Sequence, residues 1–259
     1  MADGVRGEQP ISFFDAHCTV GRLAVPPPWA PRSPEGLLGA MDHAGVERAL
    51  VCHSQSLEAH PAVGNERVVE VVAAWPRLAG CWVVLPPTTG EMPPPEQLVE
   101  AMGAAGVRAV RLCPSGGRHQ FPLGSADAAR LLTALDARRV PTLIDLGETS
   151  WGEVERIAKA HPHLPLIVLN TGYRVARTAY PVLEAAENVR LEISHYQGCG
   201  LLREGVERFG PGRFLFGTGL PQFEPGCAVA TVLYAEIPHE AKRLVAGATL
   251  EALLQGAEL

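Results

Sequence analysis

The segment AVRLCP (109–114), followed by SADAARLLTALDARR (125–139) and PTLIDL (141–146), decides how the rest of the chain is read. A short, almost wholly apolar run gives way to a stripe of Ala and Leu at helical spacing, and then a second apolar run begins. Runs of this length without alternation suit strands covered on both faces, the condition of a parallel sheet. Working outward, the same unit returns. Apolar runs stand at ISFFDAHC (11–18), RALVCHS (48–54), LAGCWVVLP (78–86), LPLIVLN (164–170), VRLEIS (189–194) and RFLFGTG (213–219). Helical patterns lie between them: PEGLLGAMDHAG (34–45), NERVVEVVAAWP (65–76) with Asn65 as its cap, EQLVEAMGAAG (96–106), WGEVERIAKAHP (151–162), residues 180–187, LLREGVERFG (201–210) and PHEAKRLVAGATLEALL (238–254). Eight strands alternating with eight helices predict a single (β/α)8 TIM barrel over residues 11–259, with residues 1–10 as a flexible N-terminal tail. A doubly wound sheet would carry a GxGxxG turn after its first strand, and FDAHCTVG has none.

Composition narrows the function classes. Of 259 residues 47% are hydrophobic and 19% charged, and the net charge is −6. An interior-rich chain with no basic run is built neither for nucleic acid nor for an anionic membrane surface. The opening residues lack an apolar signal core. Six scattered cysteines without a CxxC pair read as reduced thiols packed in the core of a cytoplasmic protein.

In a barrel of this kind function sits at the C-terminal ends of the strands. Strict alternation puts Phe13, Asp15, His17 and Thr19 on one face of the first strand. It pairs Arg111 with Cys113 on the fourth, Leu143 with Asp145 on the fifth, and Glu192 with Ser194 on the seventh. Asn170 ends the sixth, in phase with Leu166 and Val168. The lumen top is thus expected to gather Asp15, His17, Thr19, Arg111, Asp145, Asn170, Glu192 and Ser194, with His53 and His195 at the rim. Charges are seldom buried unless paired, so this set reads as a site, and a structural Arg111–Glu192 plug is the bland alternative. Asp15 lies deeper and reads as a supporting group.

At these residues the chain resembles a known family. FFDAHCTVG (13–21) is similar to the first-strand DxHxHxG signature of the amidohydrolase superfamily. LLGAMDHAGVERALV (37–51), AMGAAGVRAVRL (101–112), PLIVLNTGY (165–173) and GPGRFLFGTGLP (210–221) resemble segments of its metal-dependent hydrolase and decarboxylase branch. The resemblance implies a zinc-type centre that activates water. Of its five ligand positions, the first holds His17, but the others hold Thr19, Asp145, Asn170 and Gly219. The only literal HxH, His161-Pro162-His163, precedes the sixth strand and reads as a helix stop. No metal ligand set and no cofactor are therefore expected.

Three readings follow. One is a metal-independent hydrolase of a small carboxylate, lactone or amide, with Asp145 as base or water-positioning group and His17 as acid–base partner. In it Arg111 clamps an anionic substrate, and Thr19, Asn170, Glu192, Ser194, His53 and His195 complete the pocket. Another is a non-catalytic small-molecule-binding or interaction protein. The third is a metal hydrolase with an unusual ligand set. The proline-rich stretch 25–34 places Trp29 as a lid, at a homodimer contact or tucked against the first helix.

Overall fold

The computed structural model describes residues 10–259, so the expected tail, Pro10 apart, lies outside the described residues. The first unit runs from β1 (Phe13–Val20) through α1 (Pro34–Ala44) to β2 (Val46–His53). Helices α2 (Ser54–Glu58) and α3 (Pro61–Ala74) lead to β3 (Leu78–Val83), and α4 (Pro95–Ala104) leads to β4 (Ala109–Leu112). Then α5 (Ala126–Ala137), β5 (Thr142–Asp145), α6 (Trp151–Ala160), β6 (Leu166–Leu169), α7 (Ala176–Ala185), β7 (Val189–Glu192), α8 (Leu201–Phe209) and β8 (Phe214–Leu215) alternate. The chain ends with α9 (Gly226–Leu233), α10 (His239–Arg243), a π-helical turn (Leu244–Ala248) and α11 (Thr249–Gln255). All strand pairs are parallel and the order is sequential. The ring closes where the chain beyond β8 meets β1: Ala16 N donates to Phe216 O (2.9 Å), Gly219 N to His17 O (2.9 Å) and Thr19 N to Leu220 O (2.8 Å). This is the single (β/α)8 barrel that the strand–helix alternation predicts.

Side chains divide between two cores. Phe13, Cys18, Val51, Val110, Ile144, Val168, Leu191 and Phe216 pack outward against helices such as α1 and α5. Phe14, Ala16, Leu50, Cys52, Cys81, Val83, Ala109, Cys113, Leu143, Ile167, Leu169 and Leu215 fill the lumen, and Leu250 and Leu254 of α11 close its N-terminal end. Serines open several helices: Ser33 Oγ accepts from Gly36 N, Ser125 Oγ from Ala128 N and Ser150 Oγ from Glu153 N.

Three expectations are corrected. Asn65 does not cap a helix. The helix starts at Pro61, and the Asn65 amide is buried, donating to Val83 O (2.8 Å) and accepting from Val83 N (2.9 Å). The cysteines are not all interior: Cys18, Cys52, Cys81 and Cys113 are buried, but Cys199 and Cys227 are exposed. Trp29 is not tucked against α1, because 60% of it is exposed. Among the described residues no helix is long and apolar enough to cross a membrane.

Candidate active site

Strand β1 does not alternate evenly. Its register with β2 slips between Asp15 and Cys18, so three steps along β1 match two along β2. This bulge turns Asp15 outward with Phe13 and Cys18, and leaves His17 and Thr19 on the lumen side. Asp15 is therefore absent from the mouth. Its carboxylate accepts from His17 N (2.8 Å), Cys18 Sγ (3.0 Å), Thr218 N (3.0 Å) and Thr218 Oγ1 (2.5 Å), and so ties the seam between β1 and the chain after β8. Burial pushes its pKa up, against the opposing effect of those hydrogen bonds.

Inside the mouth lies one connected polar chain. Glu192, fully buried, accepts from His17 Nδ1 (3.2 Å), Ser194 Oγ (2.9 Å) and, at closer range, Ser194 N. Gly217 makes room for it, since a Cβ there would stand 2.5 Å from Glu192 Oε1. A carboxylate can only accept, so Nδ1 of His17 carries the proton and Nε2 offers a lone pair. That lone pair faces Arg111 Nη1 at 3.5 Å. The other arm of Arg111, Nη2, lies 3.5 Å from Asp145 Oδ2. Asp145 in turn accepts from Asn170 Nδ2 (2.5 Å) and from Gly147 N (2.8 Å).

Asn170 reaches this chain by a route that alternation does not give. Leu166 and Val168 point to the helices, so a regular continuation of β6 would send Asn170 outward. Its backbone instead turns left-handed (φ 53°), which delivers the amide to Asp145. Arg111 is 7% exposed. Burial works against its charge, but Cys113, Cys52, Asp145 and Glu148 outweigh that and raise its pKa above the ordinary guanidinium value. Arg111 Nε, Asn170 Oδ1 and Thr171 Oγ1 are buried and lack a partner among the described residues.

The remaining sequence candidates stand apart. Thr19, 8% exposed, registers with Cys52 and lies above the chain without joining it. His53 caps α2, its Nδ1 accepting from Gln55 N (3.1 Å), and packs on Gly21. Burial, aided by Arg67, lowers its pKa. His195 sits edge-on to Phe223 with ring centres 4.4 Å apart. Two residues were not anticipated from sequence. Glu148 accepts from Ser115 Oγ (3.2 Å) and acts on Arg111 from the loop after β5, and Thr218 clamps Asp15. The DLGE run after β5 is a signal for Glu148; Thr218 carries none.

At Gly219 the backbone is left-handed (φ 72°), and an added Cβ would meet Phe223 Cδ2 at 2.6 Å. Among the described residues no three His, Cys, Asp or Glu side chains gather as a metal-holding set. His161 ends α6 and His163 N bonds to Asp136 Oδ1 at 2.8 Å, at the opposite end of the barrel.

Comparison with solved structures returns proteins that share the fold at low identity. An uncharacterised TIM-barrel protein from Bordetella bronchiseptica superposes with a TM-score of 0.74 at 15% identity, covering 95% of this chain and 99% of that one. A dihydroxybenzoic acid decarboxylase from Polaromonas, solved with manganese and 2-nitroresorcinol, gives 0.70 at 14% identity over 95% and 97%. A probable 2-pyrone-4,6-dicarboxylic acid hydrolase from Acinetobacter baumannii, with citric acid bound, gives 0.65 at 12% identity over 95% and 100%. A search of curated protein sequences finds no match. The amidohydrolase family model, in contrast, matches residues 18–255, nearly the whole barrel, beginning one residue after His17. The chain belongs to the amidohydrolase family.

Proposed function

We propose that this barrel is a metal-independent hydrolase of a small, carboxylate-bearing lactone or amide. The observation that carries the reading is the buried cation at the centre of the mouth. Arg111, with its Nε unpartnered, stands between His17 and Asp145. The donor set does not fit a zinc-type centre, which takes three or more N, O or S ligands. Nε2 of His17 faces a guanidinium, Asp145 is held by Asn170 and Gly147, and Gly219 has neither a side chain nor room for one.

Asp145 and Asn170 then act as positioning residues that hold the guanidinium in the mouth. Arg111 binds the anionic substrate through its free edge. Glu192 fixes the tautomer of His17, as a carboxylate orients a catalytic imidazole elsewhere. Substrate binding draws Arg111 Nη1 onto the carboxylate and frees Nε2 of His17, which takes a proton from water as the water oxygen bonds to the carbonyl carbon. When the tetrahedral intermediate collapses, the same proton passes to the departing oxygen or nitrogen as the acyl bond breaks. The pyrone dicarboxylate hydrolase and the decarboxylase act on, or bind, small ring compounds by their names, which agrees with this substrate class.

The test is turnover of a panel of carboxylated lactones and amides, with and without chelator. Turnover unaffected by chelator and reduced by about 10²-fold or more in His17→Gln supports the reading. Chelator-sensitive turnover would sink it in favour of a metal hydrolase. Saturable ligand binding without turnover would instead support the non-catalytic binding protein.

A further inference from the structure

The N-terminal end of the barrel, opposite the mouth, carries a second group of arginines, and one of them is anomalous. Arg213 is held by three carbonyls: its Nε donates to Val189 O (2.7 Å), and its Nη2 donates to Leu183 O (3.0 Å) and Ala186 O (2.7 Å). Arg108 Nη1 donates to Ala257 O (3.0 Å). Arg48 pairs with Glu251 at 2.9 Å. Arg190, on β7, registers with the lumen residue Ile167 and so points into the bottom of the barrel. Its Nη1 donates to Asn188 O (3.1 Å), but its Nε is buried without a partner, and no carboxylate pairs with it among the described residues. Burial and the neighbouring positive charge of Arg213 push its pKa down to about 10.

A partly buried guanidinium without a counter-charge is unusual, because proteins normally pair such a group. Arg190 does not face packed side chains. It lines a cavity of about 300 Å³ together with Arg139, His163, Asn188 and Glu187. The Asn188 contact leaves Nη2 unused, and its N–H groups are the ones that can donate to an oxyanion in the cavity. Arg139 adds a second cation from the loop after α5. Among the described residues its only close acid is Glu258 at 3.2 Å, an exposed pair that water screens. His163, the second histidine of the sequence's HxH, lines the wall. Glu187 is the one acid in the lining, and it acts on Arg213.

We propose that this cavity is a binding site for a small oxyanion, phosphoryl or carboxylate, held by the Nη2 end of Arg190 and flanked by Arg139 and His163. It lies at the other end of the barrel from the mouth and does not depend on the activity assigned there.

The experiment is thermal unfolding and calorimetric titration of the full chain with inorganic phosphate, with chloride matching the ionic strength. Citrate serves as the carboxylate arm. Phosphate, citrate or both raise the melting temperature above the chloride control, as a ligand of the native state must. Arg190→Met weakens that binding about tenfold or more, and Arg190→Lys, which keeps the charge without the fork, weakens it less. Arg139→Ala, an exposed change, weakens it several-fold and serves if the Arg190 variants do not fold. Arg111→Met leaves it intact. The proposal is overturned if neither anion exceeds the chloride control, or if binding is lost with Arg111→Met and kept with Arg190→Met.

Discussion

At Gly219 two effects combine, a left-handed backbone and a phenyl ring where a side chain would begin. A non-glycine residue in that conformation costs about 1–2 kcal/mol before the ring is moved. Gly219→Asp is therefore expected to lower the melting temperature by roughly 2–6 °C, measured by calorimetry; an unchanged value would refute the account. Asp15 makes a pH prediction. Because burial raises its folded pKa, the native state holds a proton that the unfolded chain has already released above about pH 4. Its contribution to stability thus falls as pH rises from there through the folded pKa. Urea midpoints of wild type compared with Asp15→Asn should converge or cross in that direction, with wild type losing ground as pH increases. At this scale the sequence was readable wherever strands are regular: alternation alone places Arg111, Asp145 and Glu192 in the lumen. It misplaced Asp15 because a bulge adds one residue, and it brought Asn170 to the mouth by the wrong route. Both depend on single backbone angles that side-chain periodicity does not encode.

Among the elements, α3 shows how an internal polar residue can outweigh a capping pattern. Asn65 followed by Glu66 looks like a helix start, yet its amide closes both hydrogen-bonding groups of Val83 just where β3 ends. Replacing it by Ala leaves a buried N–H and a buried C=O unpaired, at about 1–3 kcal/mol for each group left unsatisfied. Asn65→Ala should lose about 2–4 kcal/mol in denaturant unfolding, far beyond the loss of a surface cap. The main helices are visible in sequence because each has an apolar stripe and most have a serine, proline or glycine boundary. Helix α7, bounded by Val175 and Ala186 with Pro181 inside it, lacks one, and the sequence pattern misses its first turn. Helix α2, of five residues, and α9, apolar nearly throughout, offer no such period to detect.

For the molecule as a whole, the low proportion of charge and the fold have one cause: strands enclosed by helices give few residues a solvent face. Apart from Asp15 at the seam, the enclosed charges divide into two sets at opposite ends of the lumen, one interlocked through His17 and one centred on Arg190. The first was legible because the family resemblance and the strand ends coincide there. The second was not, because Arg190 in VRLEIS looks like one more residue of a strand. The same enclosure sorts the thiols into two populations. Burial pushes Cys113 up to about 12 and Cys18 well above its ordinary value, whereas Cys199 and Cys227 lie on the surface. An alkylating reagent applied to the native protein is expected to modify two sulfurs promptly and the other four only when the barrel opens. Counting adducts by mass against time at a reagent concentration where alkylation outpaces reclosing then gives the opening rate, with the chain's own cysteines as a built-in clock. Prompt modification of more than two would mean that one of the four buried sulfurs is reachable without opening the barrel.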